Sequence, residues 1–115
     1  MYGNWGNDTI LGGDGNDRID GGAGDDVLYT GSGNDYVQAD YGNDTIYCGP
    51  GTNQVDGAAG TDTAVFAGNY ASYALNLASG VTTVAGIEGT SSLSNIERIK
   101  FNDGSYNVLT GLFQA

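Results

Sequence analysis

The sequence predicts an all-β chain: a parallel β-roll over residues 1–65, followed by a C-terminal β cap over residues 66–115. Three observations predict it. Residues 3–65 divide into seven consecutive nonapeptides without insertion or deletion, most of the acidic charge falls in that stretch, and from residue 66 the nine-residue period gives way to ordinary strand alternation. At 115 residues the chain has the size of one domain.

The nonapeptides read GNWGNDTIL, GGDGNDRID, GGAGDDVLY, TGSGNDYVQ, ADYGNDTIY, CGPGTNQVD and GAAGTDTAV. Their fourth position is always glycine (Gly6, Gly15, Gly24, Gly33, Gly42, Gly51, Gly60). The sixth is Asp8, Asp17, Asp26, Asp35, Asp44, Asn53 and Asp62, and the eighth is aliphatic, from Ile10 through Ile19, Leu28, Val37, Ile46 and Val55 to Ala64. One inward aliphatic between two outward residues describes a three-residue strand, because strand side chains alternate faces. The other six residues must turn the chain. Glycine permits positive φ and close backbone approach there, and the aspartate places an oxygen where turn carbonyls can converge. Two nonapeptides then form one coil. Coils stack about 4.8 Å apart, which makes turns eighteen residues apart neighbours.

Charge follows the same division. Of the net −11, residues 3–65 contribute eleven aspartates against Arg18, whereas residues 66–115 carry Glu88, Glu97 and Asp103 against Arg98 and Lys100. Such a chain repels phosphate backbones and anionic lipid heads, so nucleic acid is not an expected partner. With no run of eighteen apolar residues, direct membrane insertion is not expected either. Twenty-one glycines without a Gly-X-Y period exclude collagen. The lone Cys48 can form no internal disulfide and reads as a small turn residue. Paired aspartates could in principle hydrolyse glycosides, but the turn period already accounts for their spacing. With no histidine and no recognisable nucleophile arrangement, no catalytic role is expected.

The pattern GGxGxDxUx resembles the haemolysin-type, or RTX, calcium-binding repeat. The resemblance implies a right-handed parallel β-roll with Ca²⁺ between turns n and n+2. The ion would be held by both sixth-position side chains and by carbonyls of the first four turn positions. Carried onto this chain, the side-chain ligands are Asp8, Asp17, Asp26, Asp35, Asp44 and Asp62, with Asn53 a weak one. The implied backbone carbonyls are those of Gly3 and Trp5 in turn one, Gly12, Gly13, Asp14 and Gly15 in turn two, and Gly21, Gly22, Ala23 and Gly24 in turn three. Thr30, Gly31, Ser32 and Gly33 follow in turn four, and Ala39, Asp40, Tyr41 and Gly42 in turn five. Pairing turns 1–3, 2–4, 3–5, 4–6 and 5–7 gives up to five ions, whose +10 matches the −10 of residues 3–65. The neutral Asn53 makes the 4–6 site the weakest. Turn five, Ala39-Asp40-Tyr41, lacks the paired glycines and leaves its backbone geometry open. Asp14, Asp20, Asp25, Asp40 and Asp56 fall outside the sixth position and are read as solvated acidic surface.

One buried aliphatic per nine residues cannot offset the entropy of ordering them, so the metal-free repeats are expected to be disordered and calcium to drive their folding. The resemblance further implies a secreted, extracellular protein of a Gram-negative bacterium, of the kind that includes toxins. It would leave by a type I secretion apparatus with an uncleaved C-terminal signal and fold on meeting external calcium. A start at Met1-Tyr2 directly in a repeat reads as entry into a longer array, with an upstream enzyme or toxin domain as partner.

The second half is expected to supply three to five cap strands. Tyr73, Leu75 and Leu77 alternate, Val81–Ile87 is β-prone, and Arg98–Phe101 runs into the turn Asn102-Asp103-Gly104, where Asp103 is an ordinary turn residue. The passage LSNIERIKFNDG resembles a segment that follows RTX repeats. Capping is needed because the last coil would otherwise expose an unpaired edge. Outward positions differ between the two sheets. Odd repeats present Thr9, Val27, Thr45 and Thr63 beside Leu11, Tyr29, Tyr47 and Val65; even repeats present Arg18, Tyr36 and Gln54 beside Asp20, Gln38 and Asp56. The apolar odd face is expected to contact the cap, the upstream domain or a second copy of the chain. An adhesive or ligand-recognition solenoid is the alternative function.

Overall fold

The computed structural model describes residues 2–78 and 80–115; Met1, the first residue of the expected roll, lies outside them. Each nonapeptide contributes one short strand at the expected positions: β1 (Thr9–Leu11), β2 (Arg18–Asp20), β3 (Val27–Tyr29), β4 (Tyr36–Gln38), β5 (Thr45–Tyr47), β6 (Asn53–Asp56) and β7 (Thr63–Val65). Odd strands pair in parallel in one sheet and even strands in a second, with Leu28 opposite Ile46 and Val37 opposite Val55. This is the parallel β-roll. Eighth-position side chains form a single file between the sheets, and from Ile19 to Ala64 they are fully buried.

The fourth-position glycines stack directly on one another. All seven have positive φ, from +93° at Gly6 to +120° at Gly51. From the third turn onward, a β-carbon there would strike the carbonyl of the glycine one coil earlier, as at Gly33 against Gly15. Turn five keeps the same geometry without its glycine pair. Asp40 takes φ +66°, as Asn4 does at the same position of turn one, and Asp and Asn tolerate the left-handed region better than most side chains.

Among the described residues, the second half adds a short 3-10 turn (Tyr70–Ser72) and six strands: β8 (Ala74–Ala78), β9 (Val81–Gly86), β10 (Gly89–Ser94), β11 (Arg98–Phe101), β12 (Gly104–Asn107) and β13 (Leu112–Gln114). Six replace the expected three to five because the roll has two open edges. β10 pairs in parallel with β6 and β11 with β7, and antiparallel strands then extend each sheet, in the orders β6-β10-β9-β8 and β7-β11-β12-β13. Phe66, Phe101 and Tyr106 join the buried core, with Tyr70, Tyr73 and Phe113 packed against it. Their rings lie close together, Tyr70 and Phe113 stacking at 4.2 Å.

One of the three expected contacts of the odd face, that with the cap, and one strand boundary need correction. The C-terminal segment does not cover the odd face: its strands join the sheets edge to edge, its aromatic side chains fill the end of the core, and Leu11, Tyr29 and Tyr47 stay exposed. Ile87 does not belong to a strand either. It is fully exposed in the turn between β9 and β10.

Candidate metal centre

The turns stack along the two edges of the roll, with turns 1, 3, 5 and 7 on one and turns 2, 4 and 6 on the other. On both edges the sixth-position side chains form a hydrogen-bonded column. The Asp8 N–H donates to Asp26 Oδ1 at 2.8 Å, Asp26 N–H to Asp44 Oδ1 at 2.8 Å, and Asp44 N–H to Asp62 Oδ1 at 2.9 Å. On the other edge, Asp17 N–H donates to Asp35 Oδ1 at 2.8 Å and Asp35 N–H to Asn53 Oδ1 at 3.0 Å. All seven sequence-predicted side-chain ligands therefore lie in these two columns.

The second carboxylate oxygen of every sixth-position aspartate is different. Oδ2 of Asp8, Asp17, Asp26, Asp35, Asp44 and Asp62 is buried and has no hydrogen-bond partner among the described residues. A buried, unpartnered carboxylate oxygen is costly unless a cation meets it. Turn carbonyls gather at the same place. A β-carbon built on Gly21 would stand 3.0 Å from Asp26 Oδ2 and 2.8 Å from the Ala39 carbonyl oxygen, and one on Gly3 would stand 2.9 Å from Asp8 Oδ2 and against the Gly21 carbonyl. Among the described residues no three His, Cys, Asp or Glu side chains converge. Each gap offers two carboxylates at most, and carbonyls must supply the rest. An all-oxygen, irregular donor set of this kind fits calcium and suits neither zinc nor strictly octahedral magnesium.

Asn53 reveals what the other turns lack. Its Nδ2 donates to the Gly49 carbonyl of its own turn at 3.0 Å, placing an N–H at a position where the aspartates carry an orphaned oxygen. That turn is closed without a metal. Gly49 itself has no positive φ, in keeping with the extended backbone preferred before Pro50.

Burial pushes four of the sixth-position carboxyls, Asp26, Asp35, Asp44 and Asp62, upward. Desolvation raises Asp44 to about 7, with Asp62 and Asp26 charges adding to it, and raises Asp62 to about 6, with Glu97 adding to it. Asp26 and Asp35 shift in the same direction, again chiefly through desolvation. Groups raised above their ordinary 3.8 stabilise the calcium-free fold at low pH and lose that contribution as pH rises through about 6–7. Protons and calcium therefore compete. Lowering the pH from about 8 to about 5 should raise the calcium concentration at half-folding and increase residual β structure in EDTA. Circular dichroism checks both, and flat profiles would contradict the burial of these carboxyls.

Several residues that the sequence reading left aside organise the turns. Fifth-position side chains form a second column running the opposite way: Asn7 accepts the Asp25 N–H, Asp25 accepts Asn43, and Asn43 accepts Thr61. Asp25 is thus a structural acceptor on the exposed acidic surface. Asp14 accepts the Ser32 hydroxyl, and Asp56 accepts the Ala58 N–H and the Asn95 amide. Asp40 rises to about 6, first through its hydrogen bond with Asp20 and then through desolvation. Asp103 accepts the Tyr70 N–H. The Cys48 thiol is buried and pushed up to about 12 by desolvation, which leaves it unreactive.

An eighth repeat also emerges. The run GIEGTSSLS, residues 86–94, starts at the last residue of β9 and ends in β10, which places Ser91 opposite Asn53 and Leu93 opposite Val55. Gly89, at φ +138°, stacks on the Gly51 carbonyl as the fourth-position glycines do. Its Gly-x-x-Gly and its Leu at position eight were the available signal, hidden by the insertion of residues 66–85.

The fold and its two carboxylate columns define a parallel β-solenoid with an acidic column along each edge. The sequence profile of the RTX calcium-binding nonapeptide repeat matches residues 2–37 and 29–64, four copies at a time. The chain belongs to this family of calcium-binding repeat proteins. No curated protein sequence matches it.

Proposed function

We propose that this chain is a non-catalytic module of a larger secreted bacterial protein, folded by extracellular calcium, and that its folding supports type I secretion and stabilises its upstream domain. The observation that carries this reading is the set of six buried, unpartnered Oδ2 atoms. Uncompensated, these charges oppose folding; calcium joins turns eighteen residues apart, cancels the repulsion and couples its binding free energy to folding. Up to five ions fit the nonapeptide array; the four gaps bounded by two aspartates, 1–3, 2–4, 3–5 and 5–7, are the ones calcium fills, and the 4–6 gap is left to the Asn53 amide. Extracellular all-oxygen modules bind at about 10⁻⁴–10⁻³ M, which leaves such a chain unfolded in a calcium-poor cytosol and folded outside. Residues 66–115 cap the roll by occupying both open edges.

Far-UV circular dichroism of EDTA-treated protein tests this. A cooperative gain of β signal with calcium, in the sub-millimolar to millimolar range, and none with magnesium is the expected result. A spectrum already folded in EDTA and unmoved by calcium would sink the folding role.

A second reading is adhesive or recognition binding through the odd sheet. It is favoured by the exposed row of Leu11, Tyr29 and Tyr47, in which the two tyrosines stack at 4.5 Å. The same row is the surface for an upstream domain or for self-association.

A further inference from the structure

The odd-edge column of carboxylates does not end with the seventh repeat. The Asp62 N–H donates to Glu97 Oε1 at 2.8 Å, the bond by which Asp8, Asp26 and Asp44 are each joined to the next rung. Strand register assigns Glu97 the same place. β11 lies on β7 with Arg98 opposite Thr63 and Ile99 opposite Ala64, so Glu97 falls opposite the sixth-position Asp62. A carbonyl is also in position: a β-carbon on Gly57 would stand 2.5 Å from both the Asn95 oxygen and Asp62 Oδ2, the arrangement that Gly21 has with Ala39 and Asp26. Asp62 is wholly buried, and its Oδ2 has no partner.

We propose that Asp62, Glu97 and the Asn95 carbonyl form a further calcium site, outside the nonapeptide array, that ties the C-terminal segment to the roll. The inference rests on reading the repeat columns as calcium sites. Residues 95–97 replace a six-residue repeat turn and supply fewer carbonyls. Glutamate, one methylene longer than aspartate, can offset that loss by offering both oxygens. The even edge has no equivalent, because its last two rungs are the neutral Asn53 and Ser91. The odd edge alone carries carboxylates through to the C-terminal strands, so the order of residues 66–115 becomes calcium-dependent through Glu97.

Equilibrium dialysis of EDTA-stripped protein against calcium reads the number of ions bound. Glu97→Gln keeps the acceptor for the Asp62 N–H and removes the charge; it is expected to bind one calcium fewer than the unsubstituted chain while remaining folded in calcium. An unchanged count would reduce Glu97 to a hydrogen-bond acceptor and overturn the proposal. Asp17→Asn, on the opposite edge, separates the two levels: it should also lose one ion; loss there but not with Glu97→Gln overturns this site alone, and loss with neither means that the repeat reading fails and this inference with it. Should Glu97→Gln not fold, a crystal structure of the calcium-loaded chain decides, with an ion bridging the Asp62 and Glu97 carboxylates as the supporting result and water alone in that gap as the overturning one.

Discussion

Gly42→Ala is expected to remove most of the stability of the calcium-loaded roll, whereas Gly6→Ala, at the same position of the first turn, is expected to leave it folded. Both glycines have positive φ, +109° and +93°, where an alanine is strained by about 1–3 kcal/mol. They differ in what lies beneath them. A β-carbon on Gly42 would be driven into the Gly24 carbonyl, 2.6 Å from its carbon, whereas one on Gly6 would meet nothing within 4 Å. Forcing the coils apart at Gly42 adds about 1–3 kcal/mol of overpacking. It also separates the turns that hold Asp26 and Asp44, so calcium cannot restore the loss. Thermal unfolding in saturating calcium checks the pair, and equal effects would contradict the stacked-carbonyl account.

Asp44→Asn is expected to produce the largest change in calcium dependence. Asp44 Oδ1 accepts the Asp26 N–H, its Oδ2 has no partner, and it faces two gaps, one shared with Asp26 and one with Asp62. Asparagine keeps the first acceptor and replaces the orphaned oxygen with an amide that can close onto its own turn, as Asn53 closes onto Gly49. The variant should bind two fewer ions and need at least about tenfold more calcium for half-folding, each factor of ten being about 1.4 kcal/mol. The reverse substitution, Asn53→Asp, should lower the calcium requirement. Calorimetric titration distinguishes these results from a uniform loss of stability, which would leave the ion counts unchanged.

Most of the roll was legible because its determinants are local and periodic. A glycine every nine residues sets the turn, an aliphatic four positions later sets the strand, and the eighteen-residue pairing follows from two turns per coil. The sixth-position ligands were readable for the same reason. Their Oδ1–amide bonds were not, because they join residues in different coils. Glu97 stayed hidden because its role depends on the register of β11 against β7, across the insertion of residues 66–85. GIEGTSSLS was obscured by that same break in period. The fate of the odd face could not be read from its side chains, since Leu11 and Tyr29 would look alike under a covering segment or bare. What decides it is that the C-terminal aromatics pack at the end of the core.

Amide hydrogen exchange, measured residue by residue with and without calcium, tests the central claim most directly. The N–H groups of Asp8, Asp17, Asp26, Asp35 and Asp44 donate to the next rung of a column, and that of Asp62 donates to Glu97. If calcium organises the columns, these six amides are strongly protected in calcium and exchange at unfolded-chain rates in EDTA. Equal protection in both conditions would mean that the carboxylate columns stand without the metal.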